Sequence, residues 1–182
     1  MEYYILDEVA GNPDIPYIGE LPEQLDMIAM ITREVPKLNL PIRLPVTIDD
    51  ELEVEYPDMM TADVPLFSER LKNALDNLGV TTIDYYPVEL FKQDSGEVVA
   101  HYYLGILHDM IKCLKSGVEK NQAGRTIIKN PVIDPTLLDG QMFFRLYERP
   151  RLIIINSYTK EGLERAGLQG VSIMRLGDYV SL

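Results

Sequence analysis

Apolar residues fall in two rhythms along this chain, and the change of rhythm marks its elements. After Ser68 the pattern is helical: Leu71, Ala74, Leu75 and Leu78 recur at steps of three, one and three residues along one face. Ser68 is a good N-cap, Glu69 suits the positive start of a helix, and Gly79 supplies a stop, which together predict a helix between Ser68 and Gly79. From Thr82 to Phe91, and again from Glu97 to about Leu107, the chain is rich in Thr, Ile, Tyr and Val. The two runs flank Lys92-Gln-Asp-Ser-Gly96 and so predict a β-hairpin. Pro87 lies inside the first run and cannot donate to a ladder, so an edge position or a bulge is expected there. Glu2-Tyr-Tyr-Ile-Leu6 predicts an opening strand. Phe143 to Leu146 and Leu152 to Ile155 predict two more. A short helix follows, capped by Asn156 or Ser157 and carrying Leu163 and Ala166. Gly167 to Gly170 ends it before a closing strand from Val171 to Leu176.

Between the opening strand and Ser68 no long helix fits, because Pro13, Pro16, Pro22, Pro36, Pro41, Pro45, Pro57 and Pro65 interrupt the chain. One short helix from Leu25 to Ile31 is compatible, ending before Val35-Pro36. The elements predict an α+β fold: mainly antiparallel sheets with two or three short helices. Residues 1–62 read as an acidic, proline-rich strand and loop segment packed on a core of residues 63–182, the whole making one structural domain.

The chain of 182 residues is long enough to bury roughly two-thirds of its unfolded surface. Its single cysteine, Cys113, excludes an internal disulfide, and neither an apolar span nor a leader is visible, which points to a reducing cytosol. The net charge of −12 disfavours nucleic acid and anionic membrane as partners, since both select a basic face. That charge is unevenly placed. Residues 1–63 hold fifteen acids and three bases, Arg33, Lys37 and Arg43, whereas residues 64–182 sum to zero. Asp49, Asp50, Glu51, Glu53, Glu55 and Asp58 form the densest run. It reads either as a solvated face or as a docking surface that speeds capture of a cationic partner.

Catalytic chemistry finds little to start from. His101 and His108 with one cysteine cannot close a structural zinc site. On a helix, His108 and Cys113 would point about 140° apart, so they do not make a nucleophile and base. The Asp49-Asp50-Glu51 run lacks the glycine and terminal glutamate of a calcium loop, and no phosphate-loop, dinucleotide, serine-hydrolase or metalloprotease motif is present. Ser116-Gly117 and Gln122-Ala-Gly-Arg125 read as loops. The expectation is a binding protein with no cofactor and no metal, rather than an enzyme. An enzyme would need His101, His108 and Arg125 to line one pocket.

Tyrosine is abundant, eleven residues with no tryptophan, and pairs occur at Tyr3-Tyr4, Tyr85-Tyr86 and Tyr102-Tyr103. Neighbours on a strand face opposite ways, so each pair is expected to send one ring to the core and one to the surface. Tyr85 and Tyr102 therefore join the acidic run as candidate contact residues.

The middle of the chain carries a resemblance. The run Asp63-Val-Pro-Leu-Phe-Ser-Glu-Arg-Leu71, Leu75, Gly79, Ile83-Asp-Tyr-Tyr-Pro-Val88, Gly96-Glu-Val, and Tyr102-Tyr103-Leu-Gly-Ile-Leu107 is similar to predicted immunity proteins of bacterial polymorphic toxin systems. The group is the one numbered eleven, formerly a domain of unknown function. The likeness covers roughly residues 63–118, with echoes at Phe143-Phe-Arg-Leu146 and Leu163 to Gly170. Ser116 fits the family pattern and Cys113 departs from an acidic position in it. The resemblance implies a protein that binds and neutralises a cognate toxin, with no catalytic residues to carry over. The alternatives to this reading are a small enzyme of unknown chemistry and a structural or adaptor subunit, the latter a homodimer through an edge strand.

Overall fold

Strand pairing divides the chain into two mixed sheets and a two-stranded ribbon. The computed structural model describes residues 2–11, 14–23, 25, 39–48, 54–61 and 64–181. The strands before the first helix are β1 (Tyr3–Glu8), β2 (Tyr17–Ile18), β3 (Ile42–Thr47), β4 (Met59–Met60) and β5 (Leu66–Phe67), and α1 spans Glu69–Asn77. Then come β6 (Ile83–Lys92), β7 (Val98–Leu107), β8 (Met110–Ile111), β9 (Leu114–Lys120) and β10 (Thr126–Ile133). The chain closes with β11 (Phe143–Leu146), β12 (Arg149–Asn156), α2 (Ser157–Arg165) and β13 (Val171–Arg175). One sheet has the order β13-β1-β12-β11-β8, the other β2-β3-β6-β7-β5-β4, and β9 pairs with β10. Only β3 with β6 and β8 with β11 are parallel among the described pairs. The fold is α+β, as the hairpins and capped helices predict.

Alternate residues of each strand feed opposite cores. Met60, Leu66, Val88, Leu90, Leu104 and Ile106 leave one face of the six-stranded sheet and pack with Ile18 and Leu25 of the N-terminal segment. Met59, Phe67, Ile83 and Leu107 leave the other face. They meet Leu71 and Leu75 of α1, Leu163 of α2, and Leu6, Phe143, Ile153 and Ile155 of the five-stranded sheet. The far face of that sheet, through Ile5, Phe144, Leu146 and Ile154, takes Cys113 and then Ile128 and Ile133 of the ribbon. The layers therefore run N-terminal segment, six-stranded sheet, helices, five-stranded sheet, ribbon. Coverage of both faces explains the unbroken run Leu152–Ile155, since neither parity of a doubly covered strand meets water.

Both helices start where local chemistry predicts. The Ser68 hydroxyl accepts from the Leu71 N–H at 3.1 Å, and the Asn156 side chain accepts from the Thr159 N–H at 2.9 Å. Gly79 follows α1 at φ +80°, a left-handed conformation that favours glycine and stops the helix.

Several expectations change. β6 is an interior strand, so Pro87 is not on an edge. Instead β3 begins its pairing at Val88, leaving β7 as the neighbour at Pro87, and the ladder irregularity falls at Leu90 and Phe91. Ser116-Gly117 belongs to β9 rather than a loop, whereas Gln122 to Arg125 does form the turn of the ribbon. His108 and Cys113 flank the short strand β8 and share no helix. The predicted helix from Leu25 to Ile31 lies, beyond Leu25, outside the described residues. Tyr3 and Tyr4, and likewise Tyr85 and Tyr86, each pack against a core on opposite sides of their sheet, because both sheet faces are covered.

Candidate partner-binding surface

The predicted contact residues separate into three environments. Asp49, Asp50, Glu51 and Glu53 lie outside the described residues. Glu55 is exposed, and its backbone N–H donates to the Asp14 carbonyl at 2.8 Å. Asp58 and Tyr102 are buried at 5% and 3% exposure, so the structure withdraws both from the surface. The Tyr102 hydroxyl donates to the Pro57 carbonyl at 2.7 Å, and burial, reinforced by Asp58, pushes its phenol far above the ordinary range. Asp58 accepts from the Ser68 hydroxyl at 2.5 Å and from the Gln169 N–H at 2.7 Å, with an Arg70 nitrogen 3.6 Å away. A carboxylate used in this way anchors the loop before α1 to the loop after α2.

Tyr85 is half-buried on the helix-facing side of the six-stranded sheet. Its ring meets Phe67 and Tyr103 edge-on at centroid distances of 6.3 Å and 6.1 Å. The Lys72 ammonium sits 5.1 Å from the Tyr85 centroid and 5.7 Å from that of Tyr103, while bonding Asp76 at 2.6 Å. The Tyr85 hydroxyl is buried with no hydrogen-bond partner among the described residues. Burial, and behind it the charge of Asp76, raises that phenol strongly.

Beyond the reach of α1 the same sheet face opens as a groove of about 350 Å³. Its lining comes from Pro41, Glu69, Pro87, Val88, Glu89, His101, Tyr102 and Tyr103. Register explains the polar row on its floor: Arg43 of β3 lies opposite Glu89 of β6, which lies opposite His101 of β7. Arg43 Nε is 3.4 Å from Glu89, its guanidinium stacks 4.5 Å from the Phe91 centroid, and it donates to the Gly96 carbonyl at 3.3 Å. Glu69, in the first turn of α1, forms one wall and takes no hydrogen bond or ion pair among the described residues. Carboxylate, imidazole and phenol groups over an aromatic floor recognise a cationic side chain by charge and hydrogen bonding. Among the described residues no serine, threonine or cysteine lines the groove.

The three residues an enzyme would need in one pocket do not converge. His101 lines the groove; His108 lies past the end of β7 and bonds Asp84 at 2.9 Å; Arg125 sits in the ribbon turn. Seven residues of strand separate the histidines by roughly 23 Å. Among the described residues no group of three His, Cys, Asp or Glu side chains is placed to hold a metal ion. No described helix is long and apolar enough to cross a membrane.

A second exposed feature lies on the outermost layer of the N-terminal segment. Ile15, Ile18, Leu21 and Leu25 turn to the core on this face of the sheet and leave Glu20 and Glu23 exposed, while Tyr17, next to Ile18 on the edge strand β2, is 72% exposed on the opposite face. Tyr17, Glu20, Glu23, Glu69, Glu89 and Tyr103 were not among the contact residues expected from sequence. For Tyr103 a signal existed: Leu104 and Ile106 share their parity with Tyr102, which assigns Tyr102 to the core and its neighbour to the open face. No protein-family model matches the chain, and no curated protein matches its sequence.

Proposed function

We propose that this protein binds and neutralises a basic protein partner, of the kind its resemblance to toxin-immunity proteins implies: a cognate bacterial toxin. The observation that carries the reading is the confinement of the whole net charge of −12 to residues 1–63. The exposed Glu20 and Glu23, which have no ion pair among the described residues, support it, as does the groove walled by Glu69 and floored by Glu89 and Tyr103. An acidic surface of this kind steers a cationic partner into contact, and exposed tyrosines supply contact area with little entropy loss. Neutralisation then needs only that the bound protein cover the toxin's own functional surface.

The test is co-expression of the full chain with the toxin domain encoded beside it. The expected result is restored growth and a complex with one-to-one stoichiometry. Glu20→Lys with Glu23→Lys should slow association several-fold at about 0.15 M salt, mostly through the on-rate. Killing that continues unchanged, with no complex formed, overturns the proposal.

A further inference from the structure

A sheet edge with bare N–H and C=O groups invites another strand, and natural sheets guard their edges by shortness, charge, proline or bulges. Among the described residues every edge but one is guarded in this way. β2, β4 and β8 are two residues long. β9 carries Lys115, Glu119 and Lys120 and contains Gly117 at φ +94°. β10 bulges, contains Pro131, and is bonded through Ile128 and Asn130 to the C-terminal segment. β13, Val171-Ser-Ile-Met-Arg175, holds no proline and keeps an unbroken register against β1; its one charge, Arg175, ends the strand and is bonded to Glu2 at 2.6 Å.

The phase of that ladder is fixed by the Val9 N–H, which donates to the Gly170 carbonyl at 3.1 Å. Bonded pairs alternate in an antiparallel ladder, so Ser172 and Met174 bond to β1, and the N–H and C=O groups of Val171, Ile173 and Arg175 point away from it. The other side of β1 agrees: the Ser157 N–H donates to the Glu2 carbonyl at 3.1 Å, which assigns Tyr4 and Leu6 to β12 and leaves Ile5 and Asp7 for β13. The Asp58 N–H closes the outer edge at the Gln169 carbonyl, 2.8 Å away, and among the described residues no hydrogen bond takes the outward groups from Val171 to Arg175.

We propose that β13 pairs with β13 of a second copy of the chain, antiparallel about a two-fold axis at Ile173, so that the two five-stranded sheets join into one. The strand is complementary to itself in this register. Ile173 faces Ile173 of the second copy and Val171 faces its Arg175, so every outward group from Val171 to Arg175 finds a partner. Val171 and Ile173, which border the core between the sheets, gain cover on one face, and on the other the 40%-exposed Met174 lies across from Ser172 of the second copy. Charge complementarity points to the same occupant. No like charges face each other, and Arg175 of the second copy shares a face with Glu8, the β1 neighbour of Val171, at a backbone separation of about 10 Å that two long side chains can span. The net charges of −12 repel, but at about 0.15 M salt that repulsion is screened beyond about 8 Å. A two-fold contact closes at two copies. It uses none of Glu20, Glu23 and the groove residues, so it stands apart from toxin binding.

Sedimentation velocity on the full chain, at concentrations up to about 1 mM, should give a mean mass that rises to a plateau at two copies. Ile173→Lys sets two ammonium groups directly opposite each other and should weaken association by about tenfold or more, with a urea titration to show that the variant is folded. Cross-linking tests the register without relying on that variant. In a Cys113→Ala background, Ile173→Cys places two thiols on Cα atoms about 5.5 Å apart across the axis, a span that a disulfide bridges, so oxidised glutathione should yield a covalent dimer. Val171→Cys, which faces Arg175 of the second copy rather than itself, should not. A wild type that stays monomeric throughout overturns the proposal, as does a dimer that a folded Ile173→Lys leaves intact, or cross-linking by Val171→Cys equal to that by Ile173→Cys. If the chain stays monomeric and Ile173→Lys instead abolishes capture of the toxin domain encoded beside it, the edge takes a strand of that partner and the proposal falls.

Discussion

Among the described residues Asp58 is the only acidic residue buried as a whole, although one carboxylate oxygen of Glu148 is buried too. The oxygens of Asp58 take the Ser68 hydroxyl and the Gln169 N–H, and Arg70 stands close by. Asp58→Ala would strand a buried N–H and remove a charge-assisted pair of bonds, so unfolding free energy should drop by about 3 kcal/mol. Urea titration would read this as a lower midpoint at constant slope, and a loss under about 1 kcal/mol would contradict the anchor role. Arg145 is the opposite case, a buried cation whose only described side-chain bond is to the Pro150 carbonyl at 2.7 Å. Its Nε has no partner among the described residues, and burial pulls the guanidinium down to about 10.

Cys113 makes the same scale visible through pH. Burial, with Glu148 adding to it, pushes the thiol from an ordinary value near 9 up to about 11. Below the lower value the thiol is protonated in both folded and unfolded chains, so it adds no pH dependence. Between the two values the unfolded chain releases a proton that the folded chain keeps, so stability falls as pH rises. The raised phenols of Tyr85 and Tyr102 extend the fall to higher pH. Urea midpoints should therefore decline above about pH 9, and Cys113→Ala should delay the onset to about pH 10. A wild-type profile flat through this window would refute the assignment.

At the scale of elements, the ribbon is shaped by one glycine. Gly117 has φ +94°, and a Cβ there would meet the Pro131 Cα at 2.5 Å and the Lys129 carbonyl oxygen at 2.8 Å. This close approach lets β10 bulge between Ile128 and Val132, which turns residues 129–131 toward the C-terminal segment. There Asn130 N–H donates to the Tyr179 carbonyl at 2.8 Å, and Ser181 N–H donates to the Ile128 carbonyl at 2.7 Å. Gly117→Ala combines left-handed strain with backbone overlap, a local cost of about 2–4 kcal/mol. Amide hydrogen exchange should show faster opening of β9 and β10 while β6 and β7 keep their protection; uniform protection would count against the bulge as the weak point.

The hairpin β6–β7 was readable because its signal is local: composition, a turn containing Gly96, and a length that suits strands. Ribbon strands β9 and β10 were not, because Ser116, Gly117, Asn130 and Pro131 break the pattern that alternation relies on, and their pairing depends on a bulge. The buried role of Asp58 was equally hidden. Its partner Gln169 is 111 residues away.

At the scale of the whole molecule, the N-terminal third is woven into both sheets. β1 pairs with β12 on one side and β13 on the other, and β3 lies between β2 and β6. Residues 63–182 expressed alone should therefore fail to fold, showing no cooperative urea transition and rapid proteolysis. A stable fragment would mean that the strands of the first third are accessories to a self-sufficient core. The same weave scatters the acids of the first third, with Asp7 and Glu8 on β1 of the five-stranded sheet, Asp58 buried between the helices' loops, and Glu20 and Glu23 exposed beside the six-stranded sheet.

The sequence alone determined what neighbours in the chain can settle. It set the cap at Ser68 and narrowed the second to Asn156 or Ser157, and it set the stop at Gly79, the central hairpin, the α+β class, and the imbalance of charge between the first third and the rest. These follow from backbone sterics, capping hydrogen bonds and residue type, which act over a few positions. The tertiary structure decided which residues those elements show to water. It buried Tyr102 and Asp58, opened Glu89, His101 and Tyr103 onto one groove, and set the ribbon against the far face of the five-stranded sheet. Exposure depends on what packs across each face, and that is fixed by pairings between residues as far apart as Tyr3 and Asn156.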